Sequence, residues 1–362
     1  MFNEVYRGKR ILITGHTGFK GSWLAFWLQK LGAELCGIAL PPETNPNHFN
    51  LLKLDFRSEY ADIREAAELR RIIHDFQPEI VFHLAAQALV LRSYQEPLET
   101  MKTNVLGTAN VLEVCRTCAS VRAIVVVSSD KCYENREWVW GYRENEAMGG
   151  YDPYSASKGC TELLVNCWRQ SFFHPEEYGH KHQVLLASAR SGNVIGGGDW
   201  AEDRLVPDLM KAAAAGTSVT IRRPQAVRPW QHVLEPLSGY LLLAQQLHEG
   251  RREFAEAWNF GPAETASCSV EETAQELAAC WNDIAFKLEA QPNAPHEAGL
   301  LRLDCSKAHS RLQWHPVWNR AETFHCTAEW YRRFYRENQV STEKDLATYC
   351  LTASKQGLIW SR

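Results

Sequence analysis

The chain has 362 residues, with 39 Lys and Arg against 43 Asp and Glu, for a formal net charge of −4. At 45% hydrophobic and 23% charged residues, this composition excludes disorder, a collagen-like fibre and a basic nucleic-acid binder. No apolar run approaches the ~18 residues a membrane helix needs, and at roughly 100–200 residues per domain the length suggests two domains or one large α/β unit. The N-terminus has an early acid, Glu4, and only a short apolar stretch, Ile11-Leu12-Ile13. An export signal is therefore not expected, and the chain reads as cytoplasmic.

A β-rich run over residues 10–14 is closed by Gly15. Helical spacing over 22–31 ends at Gly32, a C-cap residue. A second strand over 34–40 stops at Pro41-Pro42. A helix over 66–76 ends before Pro78, and a strand follows over 79–84. Then come a helix over 100–118, an apolar strand over 123–127, a long helix over 154–173 and a strand over 183–189. Strands alternating with helices predict βαβ units around a parallel sheet covered on both faces.

After residue 190 the alternation breaks. Gly196-Gly197-Gly198 and the prolines 207, 224, 229 and 236 interrupt it, and short helices over 206–216 and 270–281 remain. The expected fold is a Rossmann-type doubly wound parallel sheet with a smaller mixed α/β C-terminal substrate lobe. Residues 1–190 form the dinucleotide domain, with 222–260 packing back on it. Residues 191–335 form most of the substrate lobe, and 336–362 form a tail with little signal.

The 11 cysteines are odd in number and lack a disulfide framework, which fits reduced thiols. Cys115 and Cys118 are the only close pair. With no second pair at ligand spacing, no metal site is expected. The chain also holds 13 tryptophans. Trp200, Trp230, Trp258, Trp281, Trp314 and Trp318 fall in the second lobe, where most are expected to be packing.

Gly15-His16-Thr17-Gly18-Phe19-Lys20-Gly21 joins the first strand to the first helix. Glycines permit the tight turn and close backbone approach to a pyrophosphate, and the helix N-terminus supplies N–H donors. The ribose-binding acid is expected ~20 residues further on. Glu43 stands near there, either as that acid or as a solvated loop residue. Between Lys30 and Lys53 no Lys or Arg is present to hold a 2′-phosphate, which favours NAD over NADP.

Tyr154 and Lys158 lie four apart, on one helix face. A cation beside a phenol lowers its pKa, and such a Tyr can remove a hydroxyl proton while hydride leaves the same carbon. Ser128-Ser129-Asp130-Lys131 directly follows the strand over 123–127, where open α/β sheets bind ligands. Ser129 can hydrogen-bond a substrate hydroxyl. Asp130 and Lys131 add an acid and a base that a simple dehydrogenase does not require.

The stretches Thr14-Gly15-His16-Thr17-Gly18-Phe19-Lys20-Gly21-Ser22-Trp23-Leu24 and Ser128-Ser129-Asp130-Lys131-Cys132-Tyr133-Glu134-Asn135 are distinctive. So are Ser191-Gly192-Asn193-Val194-Ile195-Gly196-Gly197-Gly198-Asp199-Trp200 and Arg228-Pro229-Trp230-Gln231-His232-Val233. With them the chain resembles the extended short-chain dehydrogenases/reductases over nearly its whole length. Within that family it is similar to the sugar-nucleotide 4,6-dehydratases that act on CDP-glucose. Lys131 matches that branch, whereas relatives acting on dTDP-glucose carry Glu there.

The resemblance implies a redox-neutral cycle on bound NAD. Tyr154 takes the C4 hydroxyl proton as C4 is oxidised, water is eliminated across C5–C6, and hydride returns to C6. The implied product is CDP-4-dehydro-6-deoxy-D-glucose. Asp130 is implied to protonate the departing C6 oxygen, and Lys131, if neutral, to abstract the C5 proton.

Other implied contacts each keep a plainer alternative. Asp62-Ile63 resembles an adenine-contacting segment, or Asp62 caps a helix before Arg64. Ala85-Ala86-Gln87 resembles backbone lining the cofactor, or Gln87 caps the turn. Asn104 resembles a residue supporting the site, or it is a buried, satisfied amide. Asn193 and Arg228, and more weakly Arg204, resemble residues that hold the substrate diphosphate, although Arg228 also reads as a surface cation. Lys20 either meets cofactor phosphate or points to solvent. A homodimer through the helices over 100–118 and 154–173 is implied as well. An epimerase or reductase on the same scaffold would need Tyr154 and Lys158 but not Asp130 and Lys131. A non-catalytic NAD(P)-binding regulator would be expected to lack the intact Tyr-x-x-x-Lys.

Overall fold

The computed structural model describes residues 1–263, 267–289 and 299–362. Among these residues, one parallel sheet contains β1 (Arg10–Thr14), β2 (Glu34–Ala39), β3 (Arg57–Tyr60), β4 (Ile80–His83), β5 (Ala123–Val127), β6 (Leu185–Arg190) and a last strand, Ala257–Asn259. From one edge the order is Ala257–Asn259, β6, β5, β4, β1, β2, β3. The direction of winding reverses between β1 and β4. Thr14 ends β1 beside Ile38 of β2 and His83 of β4. Ligands of such sheets bind beyond the strand C-termini at this reversal.

The strands are apolar because they serve two cores. Ile11, Ile13, Phe82, Val125 and Ala187 face one core, while Leu12, Val81, Ile124, Val126 and Leu186 face the other. The period-2 alternation of a strand produces this split. The helices Phe19–Lys30 and Leu234–His248 cover the first face, and Ala66–Phe76, Gly107–Arg116 and Pro153–Ser171 cover the second.

The strand over 123–127 and the helix over 66–76 occur at the expected residues. The helix expected over 100–118 is broken into Pro97–Met101, a π-helical turn Lys102–Leu106 and Gly107–Arg116. Here the Asn104 carbonyl accepts from the hydroxyls of Thr108 (2.7 Å) and Thr161 (3.0 Å). A π turn inside an α-helix often marks a functional site.

Leu234–His248 gave no helical period because it is buried almost all round. β3 escaped notice because Arg-Ser-Glu-Tyr is a polar edge.

The second lobe contains the helices Leu205–Ala215, Val270–Cys280 and Arg320–Glu337 and three two-stranded pairs. The C-terminal stretch that carried little signal forms the helix Thr342–Lys355 and closes on the first helix. Tyr349 meets Trp27 edge-on, and Trp360 stacks on Phe2 at 5.3 Å. Trp23, Trp27, Trp200, Trp230, Trp258, Trp281, Trp314, Trp318, Trp330 and Trp360 are all buried, so packing accounts for most of the tryptophan.

One carboxylate is sealed into this wrap. Glu235 accepts from Val317 N–H (2.9 Å), Trp318 N–H (2.8 Å) and the Tyr349 hydroxyl (2.8 Å), and burial pushes its pKa up to about 7. No helix among the described residues is long and apolar enough to cross a membrane.

Candidate active site

The loop from β1 into the first helix is fixed by glycines at close approach. A Cβ on Gly15 would lie 2.7 Å from Ala85 N, and one on Gly21 would lie 2.1 Å from Gly15 O. Gly15 also has φ +78°, in the left-handed region. Gly18 is the N-cap, and the first turn leaves its N–H groups, at Phe19, Lys20 and Gly21, without intrahelical acceptors.

The side chains of this loop are committed elsewhere. His16 is buried against Gly37, shares a 2.7 Å bond with Ser58 Oγ, and is held neutral by burial with a pKa near 4. Thr17 donates to Leu40 O at 2.9 Å. Only the backbone of His16 and Thr17 is thus left to meet a phosphate. Glu43 pairs with Arg92 at 3.0 Å, a cation that arrives from the helix after β4 and that the 30–53 window did not contain.

On the adenine side, Asp62 Oδ1 accepts from Arg64 N–H at 2.8 Å, and its carboxylate pairs with the Arg64 guanidinium at 2.5 Å. It caps a turn rather than the helix, whose N-cap is Glu65. Ile63 packs on Gly107, while its carbonyl accepts from Asn110 at 3.1 Å. Ala85 and Ala86 are partly exposed past β4. The Gln87 side chain binds Leu89 N–H (2.5 Å), Leu89 O (3.1 Å) and Thr100 Oγ1 (2.9 Å), so it holds the turn. Asn104 grips Gln87 at both backbone groups (2.8 and 3.0 Å) and donates to Ser157 Oγ at 2.8 Å. It is a satisfied buried amide that ties the β4 loop to the next helix.

That helix is Pro153–Ser171. Asp152 caps it, accepting from Ser155 N–H at 2.9 Å and from Ser155 Oγ at 2.6 Å, with Pro153 in its first turn. Tyr154 is therefore held at a rigid helix start. Ser129, Asp130, Tyr154 and Lys158 are buried, at 6%, 2%, 8% and 6% exposure. Ser129 hydrogen-bonds Tyr154, donates to Asp130 Oδ1 at 3.0 Å and accepts from Lys131 N–H at 3.2 Å.

Burial, with Asp130 and Asp152 nearby, pushes the Tyr154 phenol up to about 12, and the influences favouring phenolate come from Ser129 and Arg204. Lys158 follows Tyr154 by one turn on the same helix. Its own pKa is lowered by burial to about 8, against the pull of Glu162.

Several further candidates surround this cluster, with Gly192, which carried no sequence signal, among them. The Asp130 carboxylate lies against Gly192, where a Cβ would come within 1.9 Å of Oδ2. Asn193, at φ +51°, donates to Asp130 Oδ2 at 3.4 Å, so it reaches the acid in addition to any diphosphate. Arg204 pairs with Asp199 at 2.9 Å while facing Tyr154. The half-buried Lys20 side chain donates from its ammonium to Ser191 Oγ at 2.8 Å. Arg228 is buried in the second lobe on Val227–Pro229, with Nη1 turned toward the carbonyls of Val227 (3.0 Å) and Gly299 (3.5 Å). It is not the surface cation its alternative reading described. Lys131 is half-buried.

Behind the site, Glu162 pairs with Arg190 at 2.7 Å with both side chains under 5% exposed. Arg190 also donates to Tyr133 OH at 2.6 Å, and Tyr133 donates to Asn259 Oδ1 at 2.8 Å.

The constellation is thus a phosphate-sized cradle of backbone donors beside a buried Ser-Tyr-Lys group and a carboxylate. The sequence profile of the GDP-mannose 4,6 dehydratase family matches residues 12–325. A CDP-glucose 4,6-dehydratase of Salmonella typhimurium is 49% identical over 348 residues, covering 95% of this chain and 97% of that protein. A dTDP-glucose 4,6-dehydratase of Haemophilus influenzae is 27% identical over 356 residues, covering 89% and 97%. The fold matches that of the Streptomyces venezuelae dTDP-glucose 4,6-dehydratase, solved with NAD and TYD. That match has a TM-score of 0.74 at 23% identity, covering 91% and 99%. Profile, full-length identity and fold all agree with the cradle and the Tyr-Lys helix: the chain belongs to the GDP-mannose 4,6-dehydratase family of sugar-nucleotide 4,6-dehydratases, within the extended short-chain dehydrogenases/reductases.

Proposed function

We propose that the chain is an NAD-dependent hydro-lyase that converts CDP-D-glucose to CDP-4-dehydro-6-deoxy-D-glucose and water. The observation that carries this reading is the buried Asp130 carboxylate set beside the Ser129–Tyr154 pair, in a chain 49% identical over 348 residues to a CDP-glucose 4,6-dehydratase. An epimerase has no need of an acid there.

The loop fits a dinucleotide pyrophosphate, since Gly15 and Gly21 permit the close turn and the first-turn N–H groups are available. NAD held on this loop would supply the hydride acceptor for C4 and the hydride donor for C6. The chain's own residues handle the protons. Ser129 orients the C4 hydroxyl and Tyr154 removes its proton, with the charges of Lys158 and Arg204 beside the phenolate. Asp130 gives its proton to the leaving C6 oxygen. Lys131, on the same short turn, takes the C5 proton made acidic by the C4 ketone.

Residues 1–190 with 222–260 serve the dinucleotide, and 191–335 the sugar nucleotide. Arg228 and Asn193 serve its diphosphate. A homodimer is supported by Leu106 and Leu163, which are 59% and 60% exposed on the two helical segments expected to pair.

The test follows deuterium from C4 of labelled CDP-glucose. Its appearance at C6 of a product lighter by one water supports the reading, and label retained at C4 overturns it. Lys131→Ala is expected to lose solvent-hydrogen exchange at C5, and native exchange would remove Lys131 from the base role.

A further inference from the structure

The first helix opens on the phosphate loop, yet Lys20 in its first turn sends its side chain across the site. Lys20 Nζ donates to Ser191 Oγ at 2.8 Å, and Ser191 shares a 2.6 Å bond with the hydroxyl of buried Tyr240. The next residue, Gly192, lies against the Asp130 carboxylate. The turn after β6 thus carries both the hydroxyl that receives the ammonium and the glycine that packs on the carboxylate. Asp130, Lys158 and Arg204 all act on the Lys20 charge, from three different elements.

The loop's phosphate donors are backbone N–H groups, so an apolar side chain at position 20 would serve that turn equally well. A desolvated lysine instead carries a cost, visible as a pKa lowered to about 7. The carboxylate it faces has only neutral hydrogen-bond donors among its described contacts, Ser129 and Asn193.

We propose that Lys20 is a positioning residue for the elimination step, its ammonium being the counter-charge for the carboxylate that Asp130 becomes as it gives up its proton. The inference rests on the reading of Asp130 as the acid. In the step, the C5–H electrons form the C5–C6 double bond and the C5 proton passes to the base. The C6–O bond breaks with its electron pair on oxygen, and the Asp130 proton completes water. The negative charge left on Asp130 acts through space on the Lys20 ammonium, and no further reactant is consumed.

The test compares the native chain, Lys20→Met, Lys20→Arg and Asp130→Asn on CDP-glucose and on its 6-deoxy-6-fluoro analogue, whose fluoride leaves with little need of an acid. Lys20→Met is expected to lower kcat on CDP-glucose roughly 10- to 100-fold with KM nearly unchanged, and on the fluoro analogue only about 2-fold. Lys20→Arg is expected to restore most of the loss. Asp130→Asn is expected to show the same split between substrates, only larger. Equal losses of Lys20→Met on both substrates, or a loss carried by KM or by cofactor retention, would overturn the proposal. If Asp130→Asn shows the split and Lys20→Met does not, only the Lys20 role fails. If Asp130→Asn shows no split, the acid reading fails and this inference with it.

Discussion

The helix Pro153–Ser171 serves two regions that treat charge in opposite ways. At its start, Tyr154 and Lys158 share a cluster with Asp130, Lys20 and Arg204, where the charges exceed their direct pairings. One turn further on, Glu162 is matched by Arg190 and Ser188, and Arg190 in turn by Tyr133. Both regions are buried, so both carry desolvation costs. The front leaves its charges for reactants and the rear uses them to fix the chain between residues 133 and 144 to the sheet. A substitution in front should remove chemistry and spare stability, and one behind should do the reverse.

The largest effect is expected in front. Tyr154→Phe and Asp130→Asn should each lower kcat by roughly 10²- to 10⁴-fold, with urea midpoints close to native. A large stability loss would make that cluster structural and erase the contrast. Behind, Arg190→Met leaves Glu162 buried without its cation and should cost about 3–5 kcal/mol in urea unfolding. The Glu162→Gln/Arg190→Met pair should recover part of that loss, and folded protein should retain most of its kcat.

Gly192→Ala sharpens the comparison, because it touches the front through geometry alone. Its Cβ would meet Asp130 Oδ2 at 1.9 Å, and displacing that acid should reduce kcat roughly 10- to 100-fold at nearly constant KM.

An effect on stability alone comes from a third carboxylate, Glu235, whose hydrogen-bond donors among the described residues are all neutral. Its folded pKa is raised by burial from an ordinary 4.5 to about 7. The associated stability is therefore present below about pH 4.5 and is lost as pH rises through about 7, by on the order of 3 kcal/mol. Glu235→Gln should flatten the stability profile across that window. An unchanged slope would assign it to other groups, such as Asp345, whose pKa is also raised to about 7.

The sequence showed what is local. The Gly15–Gly21 turn, the Tyr154–Lys158 pair on one helix face, and the apolar strands β1, β4 and β5 all declare themselves by spacing. What it did not show depends on partners far along the chain. His16 looks like a phosphate-loop side chain until Gly37 and Ser58 are seen to enclose it. Lys20 could not be aimed at Ser191, 171 positions away, from the loop alone. Gly192 lacks a signal because its reason is the Asp130 carboxylate. Leu234–His248 and Ala257–Asn259 were missed because a fully buried helix has no apolar stripe and a three-residue strand has no period.

The central claim is most directly tested by incubating the purified chain with CDP-, dTDP-, UDP- and GDP-glucose and reading product masses. Loss of one water from CDP-glucose, faster than from the other three, is the predicted result. No change in mass, or a preference for dTDP-glucose, would contradict it.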